Sequence, residues 1–242
     1  ANPDRHTDVG DENKKPPSLA VPNSLSIKVA DDNMPALLEG ARNTVLLTIV
    51  SVFFGALLGL FLALGRLSRN KALDRLCWFY IWLFRGTPLL MQLFFIYYAL
   101  PKIHPALTLP GQWVPALLAL SLNSAAYLAE IIRAAIQSID KGQLEAAKAL
   151  GMSYGQAMSR VIIPQSYRRL IPPVGNELIA LLKDSSLVAM IGMTELMKVT
   201  NQISTAQSVA TVYMPAAVLY LGLTTFFTFI FEKLEKKYSV YE

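Results

Sequence analysis

The hydrophobic positions of this chain fall into long runs separated by short basic segments. Asn43–Gly65 is 23 residues without a charged side chain. At about 1.5 Å per residue this is roughly 34 Å of helix, enough to cross a hydrocarbon core of about 30 Å. Leu76–Leu100 is a second run, interrupted at Arg85-Gly86-Thr87-Pro88, where Pro88 removes a backbone donor. Ile103–Ala129 holds no Asp, Glu, Lys or Arg. Pro105, Pro110 and Gly111 break its early part, so a third helix is predicted over 113–135, with Trp113 at the interface. Leu170–Ile191 is apolar but contains Pro172, Pro173, Glu177, Lys183 and Asp184. It reads as a helix over 167–183, then a bent or re-entrant piece through Met197, tolerated only where protein or a water-filled path covers it. Val199–Phe231 is 33 residues without a charge, and its last part, 211–231, is a fifth span.

The pattern therefore predicts an all-α membrane protein with five transmembrane helices, over 43–65, 76–100, 113–135, 167–183 and 211–231. Residues 1–33 form a polar amino-terminal tail, read as disordered or as part of a partner contact, and a short amphipathic stretch follows near Met34–Ala41. No apolar stretch follows a basic start there, so the tail is not read as a signal peptide. Residues 34–237 make up the transmembrane domain and 238–242 a short tail.

Composition agrees. The chain is 53% hydrophobic and 16% charged, with a mean hydropathy of +0.39. Soluble domains carry about 25% charge, so a simple soluble enzyme and a disordered chain are both disfavoured. The net charge of +5 fits cytoplasmic membrane flanks better than nucleic acid, given the apolar runs. Cys77 is the one cysteine, so there is no internal disulfide, and His6 and His104 lie too far apart to suggest a metal site.

Arginine and lysine placement sets the orientation. Arg66, Arg69, Lys71 and Arg75 follow the first span; Arg133, Lys141, Lys148, Arg160, Arg168 and Arg169 follow the third; Lys233, Lys236 and Lys237 end the fifth. With five spans all of these fall on one side, which the positive-inside rule makes cytoplasmic. The amino terminus is then outside and the carboxyl terminus cytoplasmic.

The loop over 137–164 is long and basic. A short helix over Gln143–Leu150 is stopped by Gly151, a natural residue for the position after a helix end, and a second runs from about Tyr154 to Val161. On physical grounds the loop lies either on lipid headgroups or against another protein, whose surface the small Ala146, Ala147 and Ala149 would admit.

Glu145-Ala146-Ala147, three residues, Gly151, nine residues, then Val161-Ile162-Ile163-Pro164 resembles the EAA loop of ABC importer permeases. The departures are Val161 for Ile and Ile163 for Leu. Arg85-Gly86-Thr87-Pro88-Leu89-Leu90-Met91-Gln92, Asn123 to Arg133 and Lys183 to Leu187 resemble the polar amino acid branch, of histidine, glutamine, arginine or glutamate type. The resemblance covers Met34–Lys237. It implies a type I importer permease in the bacterial inner membrane, with a coupling helix between the third and fourth spans that docks on a cytoplasmic ATPase. Glu145, Ala146, Ala147, Gly151 and Pro164 are the implied coupling residues. It also implies a second permease subunit, identical or similar, and an extracytoplasmic substrate-binding protein. No G-x-x-x-x-G-K-[ST] occurs, so ATP and Mg would belong to a partner ABC ATPase dimer and this chain would carry no cofactor of its own.

An amino acid brings a carboxylate and an ammonium group, so its path needs polar groups at depth. Asn123, Tyr127 and Glu130 stand at i, i+4 and i+7 on one helical face. Glu130 either lines the path or pairs with Arg133. Arg85 either binds a carboxylate or holds the backbone near Gly86 and Pro88. Lys183 and Asp184 read as gating or structural groups, paired with each other or with the second span. Phe94, Phe95, Tyr97 and Tyr98 read as packing rather than a cation cage. A self-contained secondary transporter or channel would suit Arg85, Glu177 and Lys183 but gives the EAA spacing no role, and a membrane enzyme would need an active site that the sequence does not show.

Overall fold

The computed structural model describes residues 23–239, with side chains described over 31–238. Its helices are α1 (Asn23–Arg66), α2 (Lys71–Gly86), α3 (Leu89–Ile103), α4 (Trp113–Gln137), α5 (Lys141–Ala149), α6 (Tyr154–Ala157), α7 (Ile163–Asp184), α8 (Leu196–Gln207) and α9 (Tyr213–Ser239). Among the described residues there is no strand.

The charge-free runs become the longest helices. Asp31–Arg66, Trp113–Gln137 and Ala210–Tyr238 are each long and apolar enough to cross a membrane. The α2–α3 pair adds a fourth crossing if taken as one broken span, its two parts bent by 104°. α7, at 22 residues, has the length of a span but carries charged side chains along one face. Large side chains such as Phe53, Phe61, Met214, Leu221 and Phe229 remain exposed on α1 and α9, as lipid-facing or subunit-facing surfaces require.

α1 packs along α4 because glycines remove the side chains between them. A Cβ on Gly59 would stand 3.0 Å from the Ala125 carbonyl oxygen, and one on Gly55 3.0 Å from Ser124 Cβ. The Gly55–Gly59 spacing thus serves a seam inside this chain. Leu47, Leu93, Leu120, Leu128, Leu181, Leu182 and Met193 fill the main core between α1, α3, α4 and α7.

The helix boundaries differ from the sequence expectation in four places. The expected tail over 1–33 becomes helical at Asn23, while residues 1–22 lie outside the described residues, as does most of the tail over 238–242. α1 therefore begins well before residue 43, and Leu37 and Ala41 on its early turns are buried against Leu196, Val199, Ile203, Val212 and Ala216. The second span starts at Lys71, where the Asn70 side chain accepts from the Ala72 and Leu73 amides, and it breaks sharply rather than bending locally. The helix expected over 154–161 does not stop. It passes through a π turn at Met158–Ile162 straight into α7, because Pro164 has no N–H for the Arg160 carbonyl and the ladder slips to Ile163 N–H on Met158 O. The same device, Leu100 N–H on Phe95 O just before Pro101, interrupts α3. Finally, α8 forms a helix of 12 residues where only a charge-free run was visible.

Candidate functional site

The break between α2 and α3 organises the site. Thr87 precedes proline and is held extended (φ −119°, ψ 145°), so helix α2 must stop there. Its last carbonyls lose their intrahelical donors. Three side chains replace those donors. Thr87 Oγ1 donates to Leu83 O (2.8 Å), and Gln92 Nε2 donates to Phe84 O (2.8 Å) and Thr87 O (3.0 Å). Asn123 Nδ2, from α4, donates to Phe84 O (3.3 Å) and to Gln92 Oε1 (3.0 Å).

A cavity of about 460 Å³ opens beside this break. Thr87, Leu89 and Leu90 line it from the break, Asn123 and Tyr127 from α4, and Glu177 and Asp184 from α7. Ser124 Oγ donates to Glu177 Oε1 at 2.9 Å, fixing that carboxylate on the wall. The first-turn N–H groups of α3 have no intrahelical acceptors, so the positive end of a helix also borders the cavity. The cavity thus has carboxylates along one helix and the amino-terminal turn of another at its edge.

A second cavity of about 460 Å³ shares Tyr127 and is lined by Arg85, Glu130, Ser138, Arg169 and Pro173. The Arg85 guanidinium lies 5.3 Å from the Tyr127 ring centroid and 3.8 Å from Glu130. Glu130 takes a two-pronged pair from Arg133 (2.6 and 3.1 Å), and Arg133 continues to Gln137 at 2.7 Å. Glu130 thus both lines this cavity and pairs with Arg133. Arg85 sits at the end of α2 and turns to α4 rather than to the backbone of the break. Lys183 and Asp184 form no ion pair with each other: Asp184 lines the first cavity and Lys183 is exposed. Phe94, Tyr97 and Tyr98 stack edge to face among themselves.

The loop carrying Glu145 is built as a rigid knuckle. Asp140 caps α5 by accepting from Gly142 N–H (2.6 Å). The helix ends in a Schellman motif: Met152 N–H reaches Ala147 O (3.1 Å) and Gly151 N–H reaches Lys148 O (2.9 Å). This closure needs Gly151 in the left-handed region, at φ +80°. Ser153 and Gln156 then cap α6 reciprocally. Arg169 Nη1, on α7, donates to Ser138 O (2.8 Å) and ties the knuckle's base to the membrane helices. Glu145 and Ala146 are exposed, Ala147 is buried against the chain itself, and Leu150 is 81% exposed at the tip. Pro164 follows the π turn, in the first turn of α7.

The structure thus brings Asn123 and Tyr127 to one cavity with Asp184, and Arg85 and Glu130 to the next. Sequence reading did not place Gln92, Ser124 or Glu177 there, and it missed Glu195 altogether. Glu195 is fully buried and accepts from Lys198 N–H (2.6 Å), Met197 N–H (2.9 Å), Tyr220 Oη (3.0 Å) and Thr44 Oγ1 (3.4 Å). The available signal was a polar amide or acid inside an otherwise apolar run, which must find partners.

Residues 55–240 match the family described as binding-protein-dependent transport system inner membrane component. The chain belongs to this family. It is 40% identical over 221 residues to the probable amino-acid ABC transporter permease protein YckA of Bacillus subtilis (strain 168), covering 90% of this chain and 95% of that one. It is 38% identical over 215 residues to the arginine transport system permease protein ArtQ of the same organism, covering 88% and 97%. A crystal structure of an amino acid ABC transporter with histidines superposes with a TM-score of 0.82 at 37% identity, covering 88% of this chain and 97% of that one. The chain is thus a transport component of the inner membrane with several membrane-spanning helices, and its fold is that of ABC importer permeases, as the sequence motifs implied.

Proposed function

We propose that this permease moves a polar amino acid across the inner membrane by alternating access, driven by a separate ATPase. α7 supplies the remaining crossing for a total of five, with the amino terminus outside and the basic segments cytoplasmic. α5 is the coupling helix: a capped, exposed, two-turn element tied through Arg169 to α7 transmits motion as a unit. An ATPase dimer that binds ATP and Mg receives it, contacting Glu145, Ala146 and Leu150. A second permease subunit completes the path, and an extracytoplasmic binding protein delivers the substrate.

The observation that carries the substrate reading is the cavity at the helix break, with Glu177 and Asp184 on one wall and the amino-terminal turn of α3 on another. A free amino acid places its carboxylate at the α3 amides, as discontinuous membrane helices permit. A cationic or amide side chain reaches Glu177 and Asp184. Tyr127 and Arg85 continue the path toward the basic side, where Arg85 leans on Glu130 rather than closing over the cavity.

The test is uptake of radiolabelled arginine, histidine and glutamine into proteoliposomes containing the permease, its ATPase and the binding protein. Uptake of at least one that needs internal ATP supports the reading. Uptake that persists without ATP, or with the permease alone, overturns it in favour of an independent transporter.

A further inference from the structure

Gln92 is buried to 8% exposure and uses both ends of its amide. Its Nε2 donates to Phe84 O, Thr87 O and Thr87 Oγ1, at 2.8, 3.0 and 2.9 Å. Its Oε1 accepts from Asn123 Nδ2 at 3.0 Å. That acceptor, the nearer of two beside Phe84 O at 3.3 Å, helps decide which way round the Asn123 amide stands. Were Asn123 flipped, its oxygen would face Gln92 Oε1 and Phe84 O, two acceptors with no proton between them, while its NH₂ faced the cavity. With Gln92 in place, both observed hydrogen bonds of the Asn123 amide use Nδ2, and Oδ1 is the atom free to accept on the cavity side.

We infer that Gln92 is a positioning residue for substrate selection: by accepting from Asn123 Nδ2 it presents Asn123 Oδ1 to the α-ammonium group of the amino acid. This rests on the proposed function. Gln92 itself faces the break, so its effect on selection passes through Asn123.

The experiment is equilibrium binding to the permease–ATPase complex in phosphatidylcholine nanodiscs, without binding protein. The probes are L-arginine against 5-guanidinopentanoate, and L-glutamine against 4-carbamoylbutanoate, each pair differing only in the α-amino group. The parent is expected to prefer the amino acid by about tenfold or more in at least one pair, the scale of a hydrogen bond to a charged group. In Gln92→Met the preference falls to about twofold or less, while affinity for the deamino probe stays near the parent value, which shows the cavity is intact. Equal weakening of both members of a pair, or an unchanged preference, overturns the inference while leaving ATP-driven uptake standing. A parent that binds neither pair, together with failed ATP-driven uptake, removes the proposed function and this inference together.

Discussion

Ser124 and Glu177 join α4 to α7 through one hydrogen bond of 2.9 Å, and Gly55 of α1 stands directly behind Ser124. The carboxylate that faces the cavity is therefore braced by three helices. A carboxylate at membrane depth is tolerated only where protein or water surrounds it, and here it has a donor on one side and a cavity on the other.

Glu177→Gln keeps the shape of that wall and removes its charge. Binding of a cationic amino acid to the permease–ATPase complex is expected to weaken by about tenfold or more, with glutamine affected less. Isothermal titration with arginine and glutamine checks this. Equal losses for the two would remove the charge argument.

The α1–α4 seam depends on absent side chains. Gly59→Val adds a branched Cβ 3.0 Å from the Ala125 carbonyl oxygen, so the helices must separate. Destabilisation of about 1–3 kcal/mol is expected, read as a lower midpoint of thermal unfolding in detergent. Gly222→Val, on α9 with open space around it, serves as the control and should leave the midpoint close to the parent's.

Glu195 is a structural tie rather than part of the cavity. It caps α8 and receives Tyr220 from α9 and Thr44 from α1, with Leu196 N–H returning to Thr44 Oγ1 at 3.2 Å. Glu195→Ala leaves three donors, the Met197 and Lys198 amides and Tyr220 Oη, without their acceptor, while Thr44 Oγ1 keeps Gly40 O at 3.1 Å, and a loss of about 1–3 kcal/mol or more is expected. Amide exchange in residues 196–200 should quicken more than in α5. Unchanged protection there would show that the cap contributes little.

Much of this fold was legible because bilayer physics writes it plainly. α4 and most of α1 follow from runs without charge, and Gly151 as the stop of α5 follows from its conformational freedom. The rest depends on partners remote in sequence. The amphipathic stretch near Met34–Ala41 was legible, but its continuity with the first span was not, because Leu37 and Ala41 sit among charged neighbours and meet α8 and α9 only in the fold. The π turns before Pro101 and Pro164 show that a proline preceded by a register slip can continue a helix that local rules would end. Asn123 was placed on the cavity face from its spacing, yet its donor belongs to the break. Nothing in the α4 sequence reveals a clamp made with Gln92, 31 residues away.

The end of α5 links local backbone geometry to coupling. Gly151→Ala forces a side chain into the left-handed region, at a cost of about 1–2 kcal/mol. If the ATPase docks on the preformed helix, its affinity for the permease falls by roughly 5- to 30-fold. The thermal midpoint of the membrane helices should stay close to the parent's, since a Cβ on Gly151 meets nothing within 4 Å. Surface-immobilised permease titrated with the ATPase reads the affinity directly.

The central claim is that α5 couples this permease to an ATPase, and co-purification tests it most directly. The parent, Glu145→Lys and Gly151→Asp are each purified in detergent, checked for folding by size exclusion, and their associated proteins identified by mass spectrometry. The account predicts that an ABC ATPase accompanies the parent and is lost from both well-folded variants. An ATPase retained equally by all three would contradict the assignment of α5 as the coupling element, and its absence from every well-folded sample would contradict the coupled importer itself.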